Sequence, residues 1–223
     1  MKLATEYYST QVSNWPKTGR SILAQFDDNS VVVYQAFRPS IGHFAAAQGY
    51  FGGEFSFSRM SWIKPNFLWM MYRSGWGSKK DQEVVLAIWI QRSAFETILA
   101  EAVYSTFEPE VYASEAEWKK AVARSSVRLQ WDPDHNPSGG KLQRRAIQLG
   151  LRGEILAQYA RDWIVDIENI SEFVQQQRQY LEFSSWSSLI TPLEITYPVQ
   201  DFDTAKKLGL SLIKSKDGNN LMI

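Results

Sequence analysis

The pattern of apolar and polar positions divides the chain into short runs that read as strands and longer amphipathic stretches that read as helices. Residues 21–26 (SILAQF) and 31–37 (VVVYQAF) are two β-type runs bracketing Asp27-Asp28-Asn29-Ser30, a set of turn formers that predicts a hairpin. Residues 84–90 (VVLAIWI) form the clearest core strand, and Val127–Trp131 is a further strand running into a turn-rich loop, DPDHNPSGG. Gly52-Gly53 breaks the chain before an alternating stretch, Phe55–Phe57, that predicts another strand. Leu193–Tyr197, set between Pro192 and Pro198, predicts a late edge strand.

Helices are expected where the period lengthens. Pro39 and Gly49 frame one over 40–48, and Lys64-Pro65 is the entry to a second over 66–73. The run Phe67–Tyr72 (FLWMMY) has no polar side, so this element is expected to be buried on most faces. Further helices are predicted over about 93–103, 114–124, 154–164 and 170–182. From Lys141 the pattern also reads as helical, breaking near Gly150 and Gly153, while the tail at 211–223 is expected to be loosely held. No internal repeat or long linker interrupts residues 1–210. The expected fold is a single α+β domain with a central mixed or antiparallel sheet and flanking helices.

At 223 residues with 44% hydrophobic and 22% charged side chains, the chain can bury a sizeable core. Its 24 basic and 24 acidic residues cancel, so any surface that holds a polyanion must be local. There is no cysteine, which removes disulfides, thiolate nucleophiles and cysteine metal sites. No apolar run approaches the roughly 18 residues of a membrane span and the first residues lack a signal core, so a cytoplasmic location without membrane contact is expected.

The strongest chemical signal is residues 55–80. Three tryptophans stand seven residues apart (Trp62, Trp69, Trp76) among Arg59, Lys64, Arg73, Lys79 and Lys80, with no acid in the segment. Interleaved rings and cations suit a flat anionic ligand such as a nucleotide or dinucleotide. A packed helix accounts for FLWMMY by itself, but half-buried cations need partners, which an incoming phosphate or carboxylate, or acids elsewhere in the fold, would supply.

Three other constellations carry candidate chemistry. Asp81-Gln82-Glu83 places carboxylates at the mouth of the core strand, or else solubilises its end. Asp132, Asp134 and His135 share one loop and could supply metal oxygens and an imidazole, or an acid and base, although Asp-Pro and Asn-Pro are also plain turn formers. Lys141, Arg144, Arg145, Gln148 and Arg152 fall at offsets that share a helix face, and Gly139-Gly140 before them would open an anion-binding helix end. A solvated basic face is the simpler alternative. No phosphate-binding P-loop, GxGxxG or G-x-S-x-G sequence occurs, which sets aside the P-loop, Rossmann and α/β-hydrolase classes.

The blocks VYQAF (33–37), RMSWIKPNFLWMMYRSGWG (59–77), QEVVLAI (82–88), and RLQWDPDH with RRAIQLGLRG within 128–153 resemble the bacterial and fungal family named domain of unknown function 4291. The name carries no reaction. The order of elements is also similar to that of ADP-ribosyltransferases: Tyr34-Gln35 on a strand, the helix at 40–48, Ser56 and Ser58, then Gln82-Glu83 opening a strand. That likeness implies NAD as cofactor, Glu83 on the nicotinamide-side ribose beside Gln82, and Arg20 or Arg59 on the pyrophosphate. The usual His or Arg of the first strand is replaced by Gln35 or lies elsewhere, and the Gln-to-Glu spacing departs from the family's motif.

The expected function is therefore a nucleotide- or dinucleotide-binding enzyme of the NAD-using transferase kind. Its catalytic candidates are Glu83, Gln82, His135 and Asp134. The ligand-holding candidates are Arg20, Tyr34, Gln35, Arg59, Trp62, Lys64, Tyr72, Arg73, Arg144 and Arg145. The alternatives are a non-catalytic binder of nucleic acid or a modified nucleotide, stacking bases on the same rings, and a metal-dependent phosphate hydrolase at Asp132, Asp134 and His135. The expected partner is a phosphorylated small molecule or nucleotide, with a nucleic-acid acceptor as a second partner class.

Overall fold

The computed structural model describes residues 2–182 and 186–210, together with the backbone of two short strands beyond them. In chain order, β1 (Thr5–Tyr7) leads into α1 (Tyr8–Asn14), followed by β2 (Gly19–Arg20), β3 (Leu23–Ala24) and β4 (Ser30–Phe37). Next come α2 (Pro39–Gln48), β5 (Ser61–Ile63), α3 (Phe67–Ser74) and β6 (Val84–Gln91). They are followed by α4 (Arg92–Glu101), β7 (Ala102–Tyr104) and α5 (Glu115–Arg124). A hairpin of β8 (Val127–His135) and β9 (Lys141–Leu151) precedes α6 (Gly153–Arg161), β10 (Ile164–Asn169) and α7 (Ser171–Arg178). The last elements are β11 (Ile190–Pro192), β12 (Ile195–Thr196), α8 (Phe202–Lys207), β13 (Leu212–Lys214) and β14 (Asn220–Met222). Apart from those two final strands, the expected loose tail at 211–223 lies outside the described residues.

The fold is α+β, and two sheets organise it. One is antiparallel with strand order β10-β6-β4, and the other runs β2-β9-β8-β7 with β5 also paired to β9. β4 and β6 read as unbroken apolar runs because both faces of their sheet are covered. Val31, Val33, Leu86, Ile88 and Ile90 enter the main core with Phe95, Ile98, Leu99, Leu156 and Tyr159. The alternate set, Val32, Tyr34, Val85, Ala87 and Trp89, enters a second core with Phe67, Leu68, Met71 and Val174. This strict alternation is the two-residue period of a strand applied to a doubly covered sheet.

The main core continues onto the second sheet through Ile63, Val127, Leu129, Ile147, Leu149 and Leu151. The opposite face of that sheet, carrying Trp62, Gln130, Asp132, Arg144 and Gln148, is therefore free to carry polar chemistry. The two sheets are stitched by one bridge, in which Tyr34 N donates to Lys64 O (2.7 Å) and Lys64 N donates to Tyr34 O (3.3 Å).

Local signals fix the elements around that junction. Asp27 Oδ1 accepts from the amides of Asn29 and Ser30, closing the expected turn before β4. α2 starts at Pro39 and ends at Gly49, whose left-handed φ of 75° favours glycine. Asn66 caps α3, its Oδ1 accepting from Trp69 N at 2.7 Å, so the helix begins after Pro65 rather than at it. Among the described residues, no helix is long and apolar enough to cross a membrane.

Four sequence expectations are corrected. Residues 141–151 form strand β9, not a helix, and pair with β8, β2 and β5. A helix there would leave the ladder groups of all three neighbours unpaired. Residues 132–135 continue β8 instead of forming a loop. Pro133 is accommodated at a register shift between Pro133 and His135, and the turn proper is Asn136–Gly140. Strand β10 was not expected from its charged sequence, IVDIEN; it is an edge strand, irregular between Ile164 and Asp166. Phe55–Phe57 is irregular because its rings pack onto Phe37, Phe51 and each other instead of joining a ladder.

Candidate functional site

Where the polar face of the second sheet meets α3 and the end of β4, the chain leaves a cleft of about 710 Å³. Gln35 comes from β4, Trp62 from β5, Gln130 and Asp132 from β8, and Gln148 from β9. Trp69, Tyr72 and Arg73 come from α3, while Arg59, Lys64 and Gln82 come from the flanking loops. A neighbouring hollow of about 370 Å³ shares Arg59, Met60 and Ser61 with it, so a ligand longer than the cleft has somewhere to extend.

The cations of the cleft are its main electrostatic feature. Arg59 and Arg73 are exposed at its edge, whereas Lys64 is only 4% exposed. Among the described residues, none of the three forms an ion pair with a carboxylate. Burial, and then the nearby charge of Arg73, push the Lys64 ammonium down to about 8, against a weaker opposing pull from Asp132.

Asp132 is the only carboxylate among the lining residues. Its Oδ1 accepts from Gln130 Nε2 at 2.9 Å and its Oδ2 from Gln148 Nε2 at 2.7 Å, an arrangement that fixes it in place. Gln35 is a brace rather than a free group. Its Nε2 donates to Ser61 Oγ and Trp62 O, and its Oε1 accepts from Tyr159 Oη. Trp69 lines the cleft, and its indole N–H is buried with no hydrogen-bond partner among the described residues. Gly150, opposite Trp62 on β9, lets that indole lie flat on the sheet, because a Cβ there would stand 3.0 Å from two ring carbons and 2.6 Å from Met60 Sδ.

The sequence candidates thus separate into two groups. Gln35, Arg59, Trp62, Lys64, Tyr72, Arg73 and Gln82 meet in the cleft. Arg20, Tyr34, Glu83, Asp134, His135, Arg144 and Arg145 do not line it. Arg20 and Arg145 line a separate hollow of about 490 Å³ with Tyr104 and Glu108, and Arg20 pairs with Glu108 at 3.4 Å. Strand alternation sends Arg144 and Arg145 to opposite faces of β9, so the shared basic face expected of a helix does not exist, nor does the helix start after Gly140.

Arg144 is buried against Asp134 (Nε to Oδ2, 2.5 Å) beneath Trp15. Tyr34 is fully buried in the second core. Glu83 Oε1 accepts from the amide of Asp81 within its own tight turn, where Asp81 has a φ of 64°. Asp132, Asp134 and His135 point to three different surroundings, so they do not assemble as a ligand set. Trp76 is also core, its indole donating to Pro137 O and fastening the β8–β9 turn. Gln130 was not among the sequence candidates, and Gln148 was grouped only with the basic offsets of a helix; the alternation Gln130-x-Asp132 on an extended β8 was the available signal.

His135 lies behind the cleft wall, its ring stacked on Tyr72 with centroids 3.5 Å apart and close to Trp69 at 5.2 Å. Both ring nitrogens are buried and have no hydrogen-bond partner among the described residues. Burial holds its pKa below the ordinary 6.5, opposed by Asp134 and aided by Lys141. A depressed pKa favours the neutral native state, so this contribution is full above about 6.5 and is lost as pH falls through the lowered native value. Urea unfolding between pH 7 and 5 should therefore show a steeper loss of stability in the wild type than in His135→Phe, which keeps the ring and removes the titration. Parallel slopes would show that His135 does not carry this dependence.

A model of one protein family, described as Domain of unknown function (DUF4291), matches residues 21–197 of the chain, a span that contains every residue lining the cleft. No curated protein matches the chain.

Proposed function

The chain belongs to the domain of unknown function 4291 family, a name without a reaction, and from the cleft's own chemistry we propose that the protein binds a nucleotide or dinucleotide there. The observation that carries this reading is the meeting of Arg59, Lys64 and Arg73, none in an ion pair among the described residues, beside Trp62, Trp69 and Tyr72. Cations on exposed surface are commonly solvated and mean little. A buried lysine without a counter-ion costs stability unless a ligand completes it. Phosphates supply that charge, and an aromatic face suits a base or nicotinamide ring.

The NAD-using transferase reading is the finer form of this proposal. Such a reaction needs a carboxylate near the ribose. Asp132 lines the cleft and Glu83 does not, so Asp132 is the better candidate for that role. Short single-stranded nucleic acid is the second reading, favoured by the extension of the cleft into the neighbouring hollow.

The test is a thermal-shift panel of NAD, ATP, AMP and pyrophosphate on the intact chain. At a hundredfold excess over Kd, a bound ligand adds about 2.7 kcal/mol to stability. At least one nucleotide should raise the Tm, and Arg73→Ala should weaken that ligand about tenfold or more, as expected for the loss of a charge-assisted contact. No shift with any of the four at millimolar concentration would remove the proposal.

A further inference from the structure

Binding a phosphate is served well by cations at a rim, where they stay hydrated. Lys64 sits instead at the floor of the cleft. Its main chain is held by Tyr34 on both its N–H and its C=O, so the side chain issues from a fixed point between the two sheets. The charged groups facing it are Arg59 from the preceding loop, Arg73 from α3 and Asp132 from β8, with His135 behind Tyr72. With its pKa brought down to about 8, an appreciable fraction of Lys64 is free amine near neutral pH. Buried lysines of this kind act as nucleophiles.

On the reading that the cleft takes a nucleotide, we propose that Lys64 is a covalent catalytic residue whose Nζ attacks the α-phosphorus of a bound nucleoside triphosphate, leaving a lysyl nucleoside monophosphate and free pyrophosphate. The Nζ–P bond forms as the bond from that phosphorus to the α,β-bridging oxygen breaks. The bridging oxygen departs with the electron pair as part of pyrophosphate. Nζ releases one proton, for which Asp132 is the carboxylate lining the same cleft, and no oxidation or reduction occurs. Arg59 and Arg73 then serve the leaving pyrophosphate, where negative charge accumulates in the transition state. A triphosphate fits this set better than a monophosphate ester does, since two arginines beyond the amine exceed what one phosphate needs.

The experiment incubates the intact protein with each of the four ribonucleoside triphosphates, labelled at the α-phosphate and supplied as magnesium complexes. Denaturing electrophoresis, pyrophosphate measurement and peptide mass spectrometry are the readouts. With one triphosphate, label should stay on the denatured chain, pyrophosphate should appear in equal amount, and the added nucleoside monophosphate should map to Lys64. The linkage should be labile to acid and stable to base, as a phosphoramidate is. Lys64→Arg should lose the label, and the wild-type mapping stands even if that variant folds poorly. A triphosphate that raises the Tm yet leaves no label overturns the covalent step and leaves the binding proposal intact. Label on another residue also overturns it, and no shift together with no label removes the covalent step while the NAD, AMP and pyrophosphate arms of the thermal-shift panel decide the binding proposal.

Discussion

Replacing Arg144 with methionine is expected to destabilise the fold by about 3–5 kcal/mol, the usual cost of stranding one member of a buried ion pair. The pair is enclosed, with side chains 3% exposed at Arg144 and 1% at Asp134. Arg144 Nε donates to Asp134 Oδ2, Nη1 donates to Pro16 O at 3.2 Å, and the guanidinium lies 5.0 Å from the Trp15 ring centroid. Trp15 in turn donates its indole N–H to Glu194 O, and Glu194 receives the Phe67 amide and the Asn66 side chain at the start of α3. Burial holds the Glu194 carboxyl well above the usual carboxylate range. One knot therefore fastens the N-terminal segment, the β8–β9 hairpin and the helix that walls the cleft.

For a chain of this length the loss corresponds to a fall in Tm of roughly 10 °C. Joint replacement, Arg144→Met with Asp134→Leu, should recover a large part of it, because two apolar groups leave no stranded charge. Chemical denaturation of the two single variants and the double variant measures the coupling. A cost below about 1 kcal/mol for Arg144→Met would mean the pair is not the enclosed contact described. Ligand affinity at saturating fold should be unchanged, which separates this arginine from those of the cleft.

How much of this was legible in the sequence follows from what each residue's neighbours are. β4, β6, α2, α3 and α5 are stated by local signals: apolar runs, Pro39, Asn66, Ser114 and the closing glycines. Within the site, Arg59, Trp62, Lys64, Tyr72 and Arg73 are near in sequence and meet through one short strand and one short helix, so their convergence could be anticipated. The β9 segment could not be read in the same way. Its basic residues fit helical offsets by coincidence, and only pairing with β8, far more distant information than any local period, decides that Arg144 turns inward while Arg145 faces the other side. The same ignorance of β8 placed Asp134 and His135 together in a loop, when an extended strand with a register shift sends Asp132 to the cleft and its neighbours behind it.

Affinity for an unreactive nucleotide, such as the nucleoside diphosphate, should fall as pH rises through about 8, by up to roughly tenfold per pH unit, the limit for one linked proton. Bound phosphate favours the ammonium form of Lys64, so above its free-protein pKa the complex holds more protons than the empty cleft, and raising pH weakens binding. Well below that value the lysine is already charged in the empty protein, and its contribution levels off. Arginine keeps its charge throughout the range, so Arg59 and Arg73 add affinity without adding this slope. Lys64→Met should both weaken binding and flatten the profile between pH 7 and 9. Arg73→Ala removes the largest charge that lowers the lysine, and should move the midpoint upward, whereas Asp132→Asn should move it down. Covalent labelling by the triphosphate should run the other way, its rate climbing with pH as free amine is formed. Two limbs of opposite slope then issue from a single side chain, and isothermal titration set beside labelling rates over the same buffers measures both; equal slopes, or a profile in Lys64→Met that matches the wild type, would place the titrating group elsewhere.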